Sequence, residues 1–218
     1  LGKAHQRHCK DDRHNAGHSN LDRNVCRLTA VHLSADNTFC VLNRNSALCF
    51  VHGNNHADNN KCEYDLDAVY FGHSNDVLDF NDVSVHTGMD TLCEMHTAGV
   101  LTGNADKILR GTIDFRRGAK RGVGHESEDV LLFSPHARNR TAPLILCGEE
   151  EVEGQHAASI GRLDEAKLYY LRSRGLNEAQ ARRLMVDARF APAIEKIPLE
   201  ALREEVRAEA ARRLDETC

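Results

Sequence analysis

The sequence contains no tryptophan, and aromatic residues make up only 5% of its 218 positions. Immunoglobulin-like sandwiches and propeller blades rely on aromatic anchors. A strand-rich chain this poor in them points instead to a solenoid, whose narrow interior is filled by stacked aliphatic side chains. No run approaches the roughly 18 apolar residues that cross a bilayer as a helix, and the N-terminus lacks a signal-peptide core. The chain therefore reads as soluble and cytoplasmic, with no membrane partner. No GxxxxGK(S/T) phosphate loop is present, so no P-loop nucleotide site is expected. Neither charge sign is blocked into long runs: 28 Lys and Arg face 33 Asp and Glu, for a net charge of -5. The basic cluster at 116–121, RRGAKR, is too short for a nucleic-acid footprint and reads as a solvated turn. No methionine opens the chain at Leu1, and it reads as a fragment of a longer product.

Cysteine is present but unpatterned. Cys9, Cys26, Cys40, Cys49, Cys62, Cys93, Cys147 and Cys218 contain no CxxC pair and no compact framework, which suits reduced, mostly buried thiols. Thirteen histidines raise the question of a metal, yet only His14/His18 and His52/His56 are spaced four apart. Both pairs sit in Asn-, Gly- and Asp-rich sequence that does not read as helix, so the spacing does not present a shared face. A metal-binding or metal-delivery protein using these N-terminal His and Cys residues remains one alternative. A second is a solenoid hydrolase or lyase with paired carboxylates among Asp114, Glu126, Glu128 and Asp129. Its premise is that they face one groove.

The chain changes period near Leu163. Residues 1–24 are polar with almost no apolar rhythm, an edge strand or a frayed start. From Val25 onward short alternating segments bounded by Asn, Asp, Gly or Ser recur through to Leu146. Such segments cannot bury a face alone and must stack on neighbours. In GTIDFRRGAK, Ile113 and Phe115 point one way while Thr112 and Asp114 point the other. VLLFS at 130–134 and PLILCG at 143–148 are continuous apolar strands, covered on both faces by another layer or another subunit.

After Leu163 the apolar spacing becomes helical. Asp164 caps a helix that Gly175 ends in the left-handed position. Asn177 with Gln180 opens a second, whose stripe is Ala181, Leu184, Met185 and Ala188. Pro192 ends or kinks it. Pro198 starts the last helix, with Leu199, Leu202, Val206, Ala210 and Leu214 on one face. The expected organisation is a β-helix core at 1–162 and a helical domain at 163–218. The helical stripes pack on each other and on the sheet, or leave part of a face as a docking surface.

Within this frame, GTIDFRRGAK followed by PLILCGEEEVEGQHAASIGRLDEAKLYYLRSRGL resembles the SufB/SufD family of iron-sulfur cluster assembly proteins. The matching elements are a strand-end Pro143, an acidic loop, Val-Glu-x-x-His-x-Ala-Ser-x-Gly, and a helix closing on Ser-Arg-Gly-Leu. The resemblance is strong over about 99–184 and implies a right-handed parallel β-helix, a β-solenoid, followed by a small helical domain. It also implies a non-catalytic scaffold whose last strands pair a SufD-type subunit with a SufB-type subunit or a second copy. The helices would dock on a SufC-type ATPase, with Tyr169, Arg174, Leu184 and Met185 as candidate contacts.

The same resemblance puts His156 at the junction where the cluster forms, as a candidate metal ligand. The alternative is a structural histidine at a strand-to-helix corner. SufB-type members carry a cysteine about 28 positions earlier, where this chain has Glu128, so the chain looks SufD-like. Some SufD-type members carry a cysteine where Gly154 stands; Cys147 is then the nearest remaining thiol, either core or ligand. No cluster is expected to be held stably by this chain alone, only transiently at a subunit junction. Glu149, Glu150, Glu151 and Glu153 read as a solvated turn or as a site attracting ferrous iron.

Overall fold

The computed structural model describes residues 63–216 throughout, together with the backbone of 25–29, 38–44 and 47–56. Ten strands precede three helices: β1 (Val25–Thr29), β2 (Thr38–Arg44), β3 (Ala47–His56), β4 (Glu63–Gly72), β5 (Val77–His86), β6 (Leu92–Leu101), β7 (Asp106–Phe115), β8 (Gly122–Leu132), β9 (Arg138–Cys147) and β10 (Val152–Arg162), then α1 (Glu165–Ser173), α2 (Glu178–Ile194) and α3 (Glu200–Asp215).

From β4 onward successive strands alternate between two sheets, one ordered β1-β5-β7-β9 and the other β10-β8-β6-β4-β3-β2. Every pairing from β4 to β10 is parallel. Glu63 pairs with Leu92, and Leu92 with Val123, so one turn takes about thirty residues and the chain makes a β-solenoid of about three turns. Upstream the regularity breaks. β3 runs antiparallel to both β2 and β4. Two residues separate Arg44 from Ala47, too few for the crossover that a parallel pair requires. Residues 1–24 and the His14/His18 pair lie outside the described residues.

Alternation of inward and outward side chains builds the interior. β7 reads half-buried and buried in strict turn, with Lys107, Leu109, Gly111, Ile113 and Phe115 inside. One apolar cluster joins Tyr70, Leu78, Phe80, Leu101, Leu109 and Val130; another joins Leu66, Cys93, Met95, Ile113 and Phe115. On β5 and β8 the rows between these clusters carry Asp82, Glu126 and Glu128, all buried. The solenoid interior is thus apolar at both ends of its strands and charged in the middle.

The outer face of the second sheet is covered by helices. Val69, Phe71, Ala98, Val100 and Leu131 form one core with Val186, Phe190, Ala193, Ile194, Ile197, Val206, Ala210 and Leu214. Burial of this apolar face, at roughly 25 cal/mol per Å², is what holds the helices to the sheet. Polar contacts fix the register. Lys196 Nζ donates to Asp67 Oδ2 at 2.7 Å, and Arg189 Nη1 donates to Asp129 Oδ1 at 2.7 Å.

The helix boundaries follow local chemistry. Asp164 accepts from the N–H groups of Ala166 and Lys167, and Asn177 and Gln180 form a reciprocal capping box. Gly175 has φ +97°, the left-handed conformation that favours glycine. Three expectations are corrected. α2 does not end at Pro192 but runs on to Ile194, although the proline offers no N–H to the carbonyl of Ala188. α3 begins at Glu200, with Leu199 rather than Pro198 at its cap. The buried stripe of α2 is Ala181, Val186, Phe190, Ala193 and Ile194; Leu184 and Ala188 face outward. Choosing the small Ala188 over Val186 and Phe190 put the stripe out of phase by part of a turn.

Candidate functional site

The last turn of the solenoid ends in two edge strands. β9 closes one sheet and β10 the other, and neither has a further neighbour among the described residues. Their side chains are mostly accessible: Leu144 is 49% exposed, Leu146 44% and Ile160 53%. The apolar run at 143–148, expected to be covered on both faces, packs inward only through the half-buried Ile145 and leaves Leu144 and Leu146 exposed, whereas Val130, Leu131 and Leu132 are buried. Pro143 lies inside β9 rather than at a strand end, paired in register with Gly111. An edge strand accommodates the missing N–H. At the same end a cleft of about 390 Å³ opens between β9 and β10, lined by Leu132, Ala137, Arg138, Arg140, Ile160 and Arg162.

His156 sits in the middle of β10, not at a strand-to-helix corner. The register sets it directly across from Glu126 of β8. Its Nδ1 lies 3.5 Å from Glu126 Oε2. That nitrogen is buried and has no hydrogen-bond partner among the described residues, while 20% of the side chain remains accessible. Burial pushes the Glu126 carboxyl up from the usual range, and the neighbouring His156 opposes that shift.

Glu128 occupies the next inward position of β8 and is fully enclosed. Lys107 Nζ forms an ion pair with Glu128 Oε1, Thr141 Oγ1 donates to Oε2, and Tyr70 Oη donates to Oε1 at 3.2 Å. Lys107 also stands 5.4 Å from the centre of the Tyr70 ring. Three donors thus compensate the buried carboxylate, which belongs to the charged layer of the interior. Asp82, facing the same space, has its pKa pushed up to about 7, first by burial and then by Glu126.

Cys147 ends β9 in register with Phe115 and is an exposed free thiol. It is not a core cysteine. In the acidic loop, Glu149 accepts from the N–H groups of Gly118 and Glu150, and the Gly118 bond holds its carboxyl below the usual range. Glu153 turns toward His125, 3.8 Å from its Nε2. Among the described residues no three His, Cys, Asp or Glu side chains converge on a common metal position.

The four carboxylates of the hydrolase alternative do not face one groove. Glu126 and Glu128 point inside, whereas Asp129 binds Arg189 on the outer face and Asp114 pairs with Arg116 near the surface. The N-terminal metal alternative rests on side chains outside the described residues, His52 and His56 of β3 included.

In the helical unit, Tyr169 is 76% exposed, and Leu184 is also exposed. Arg174 caps α1 and lies 5.6 Å from the Tyr170 ring. Met185 instead packs against the core shared with the sheet. Sequence reasoning passed over Glu126 as a neighbour of His156, because nothing local connects residues one solenoid turn apart. None of the helices among the described residues is long and apolar enough to cross a membrane.

The fold defines a parallel β-solenoid protein with an appended three-helix unit. A family model described as "SUF system FeS cluster assembly, SufBD core domain" matches residues 2–189. The chain belongs to this SufBD family of iron-sulfur cluster assembly proteins. It is 30% identical to the iron-sulfur cluster assembly protein SufD of Bacillus subtilis over 142 residues, 65% of this chain and 32% of that protein. It is 28% identical to SufD of Escherichia coli over 115 residues, 53% of this chain and 27% of that protein. A SufBD family assembly protein of Pyrococcus horikoshii is 40% identical over 101 residues, 46% of this chain and 22% of that protein. The chain thus aligns with about a third or less of the length of these relatives.

Proposed function

We propose that the chain is a SufD-type, non-catalytic scaffold subunit of a cytoplasmic SufBCD-type complex. The observation that carries this reading is the open end of the solenoid. Two edge strands, β9 and β10, have backbone donors and acceptors unpaired with any further strand among the described residues, beside Leu144, Leu146 and Ile160. A long exposed apolar edge is an aggregation hazard unless a partner continues the sheets. A SufB-type subunit that added its own last strands would cover these residues and bring its cysteine toward His156. The iron-sulfur cluster is the cargo of this junction, held transiently, with His156 as one ligand from this side. Imidazole is a suitable borderline ligand for iron.

The helical unit is the proposed contact for a SufC-type ATPase, through Tyr169, Arg174 and Leu184, with Met185 fixing α2 from below. The exposed Tyr169 and Tyr170 of α1 and Leu184 of α2 support that assignment. ATP-driven closure of the ATPase would reach the junction as rigid-body movement of helices that share a core with the sheet.

The test is size-exclusion chromatography with multi-angle scattering of this chain mixed with a SufB-type subunit and with a SufC-type ATPase. A complex containing both is expected, and Leu144→Asp with Leu146→Asp should remove the SufB-type subunit while leaving the ATPase bound. A self-paired homodimer that excludes the SufB-type subunit, or a monomer that ignores both partners, overturns the reading.

A further inference from the structure

We propose that Glu126 is the positioning residue for His156, holding Nδ1 in its protonated form so that Nε2 carries the lone pair offered at the open end of the solenoid. The inference rests on the proposed role of His156 as a ligand at the junction and adds a residue to it.

Geometry carries the argument. Neutral imidazole has one N–H and one lone pair, and the partner of one nitrogen decides the role of the other. An ionised carboxylate can only accept, so an imidazole nitrogen facing one must carry the proton. Nδ1 of His156 is buried, and Glu126 Oε2 at 3.5 Å is the acceptor it faces. The contact is long for a finished hydrogen bond. Metal bound at Nε2 withdraws charge from the ring and makes Nδ1–H a better donor, so ligation would shorten it.

Strand register and the space opposite Glu126 place the carboxylate beside the ring. The pairing of β10 with β8 sets Glu126 and His156 opposite each other with both side chains on the inner row. Across the interior stands Gly111 of β7, where a Cβ would overlap the Glu126 carboxyl group. The room that this glycine leaves is therefore filled by the Glu126 head group. The neighbouring carboxylate is committed elsewhere, since Glu128 is taken up by Lys107, Thr141 and Tyr70. Among the described residues His156 is the only basic side chain within ion-pair distance of Glu126. One carboxylate thus closes the interior, and the other is free to orient the histidine.

The test uses the full chain with ring-labelled histidine. Long-range ¹H–¹⁵N spectra at a pH where the ring is neutral, with the His156 signals assigned through His156→Gln, should show the Nδ1–H tautomer in the unsubstituted protein. Glu126→Gln can either accept from or donate to Nδ1, and should yield a mixture of tautomers. In the complex reconstituted with SufB-type and SufC-type partners, Glu126→Gln should lower the rate of cluster formation about 10- to 100-fold, the usual range for the carboxylate behind a ligating histidine. Complex formation should be unchanged. An Nε2–H tautomer in the unsubstituted protein overturns the proposal without any variant. So does Glu126→Gln that leaves both tautomer and rate unchanged while His156→Gln abolishes assembly, an outcome in which the junction role survives. If His156→Gln leaves assembly intact, the junction role falls, and the ligand-positioning claim falls with it.

Discussion

Lys107 and Glu128 form an ion pair inside the solenoid with neither side chain exposed to solvent. Burial lowers the Lys107 pKa, and Glu128 opposes that shift. A pair of this kind contributes little net stability against an apolar replacement, because both ions lose their hydration. Removing only one partner is different, since the other charge is left stranded. Lys107→Met should therefore destabilise the fold by about 3–5 kcal/mol, whereas Lys107→Met with Glu128→Gln should recover a large part of that loss. Urea unfolding of the three proteins measures both. Equal losses in the single and double variants would show that the pair is not held as ions.

Tyr70 reaches Glu128 only because Gly99 lies under its ring. A Cβ at residue 99 would overlap the ring atoms and the hydroxyl. The Tyr70 ring is fully buried and packs against Phe80 with centroids 5.2 Å apart, so it cannot step aside. Gly99→Ala should cost about 1–3 kcal/mol by overpacking, measured as a drop in the urea midpoint. Combining it with Tyr70→Leu should cost less than the sum of the two single changes, because the smaller side chain vacates the contested volume. Strict additivity would place the strain elsewhere.

His96 bridges two aspartates at the seam between the sheet and the helices. Its Nδ1 is 3.7 Å from Asp67 and its Nε2 3.5 Å from Asp129, and these aspartates also receive Lys196 and Arg189. The neighbouring Asp67 carboxylate raises the His96 pKa above its usual value of 6.5. Burial works against ionised Asp67, but the nearby His96 and the bond from Lys196 outweigh it and leave its pKa lowered. A raised histidine gives stability that is complete below 6.5 and is lost as pH rises through the folded-state value. His96→Gln should thus be less stable than the parent at about pH 6, by on the order of 1 kcal/mol, with the gap closing toward pH 9. Thermal melts across that range test it, and a gap that widens with pH would refute the assignment.

The sequence was most legible where structure depends on neighbours in the chain. The cap at Asp164, the box of Asn177 and Gln180, and the left-handed Gly175 are short-range devices with fixed residue preferences. The inward row of β7 was equally plain, since Ile113 and Phe115 alternate with polar residues. The first half of β8 was not, because its inward row reads Gly122, Gly124, Glu126 and Glu128 and carries no apolar signal. β10 hid for a similar reason: Gly154, His156 and Ala158 line its inner face, which placed His156 at a corner instead of mid-strand. The antiparallel start of the second sheet depends on pairing across turns, which periodicity does not report. The contact between Glu126 and His156 belongs to the same class, a product of register between stacked turns.

Asp82 is the remaining member of the buried charged layer. Burial, reinforced by Glu126, pushes its pKa up to about 7 from an ordinary 3.8. The folded state therefore binds this proton more tightly than the unfolded chain does. Stability from the group is complete below pH 3.8 and falls as pH rises toward about 7, above which the interior must hold an additional negative charge. Asp82→Asn keeps the shape of the side chain and abolishes that charge. The variant should match the parent near about pH 4 and exceed it at about pH 8, by at most on the order of 4 kcal/mol given 1.36 kcal/mol per pKa unit. Denaturant unfolding at the two pH values decides the matter. A variant less stable than the parent at the higher pH would mean that ionised Asp82 is held by Lys107, and that the interior is built to carry all three carboxylates charged.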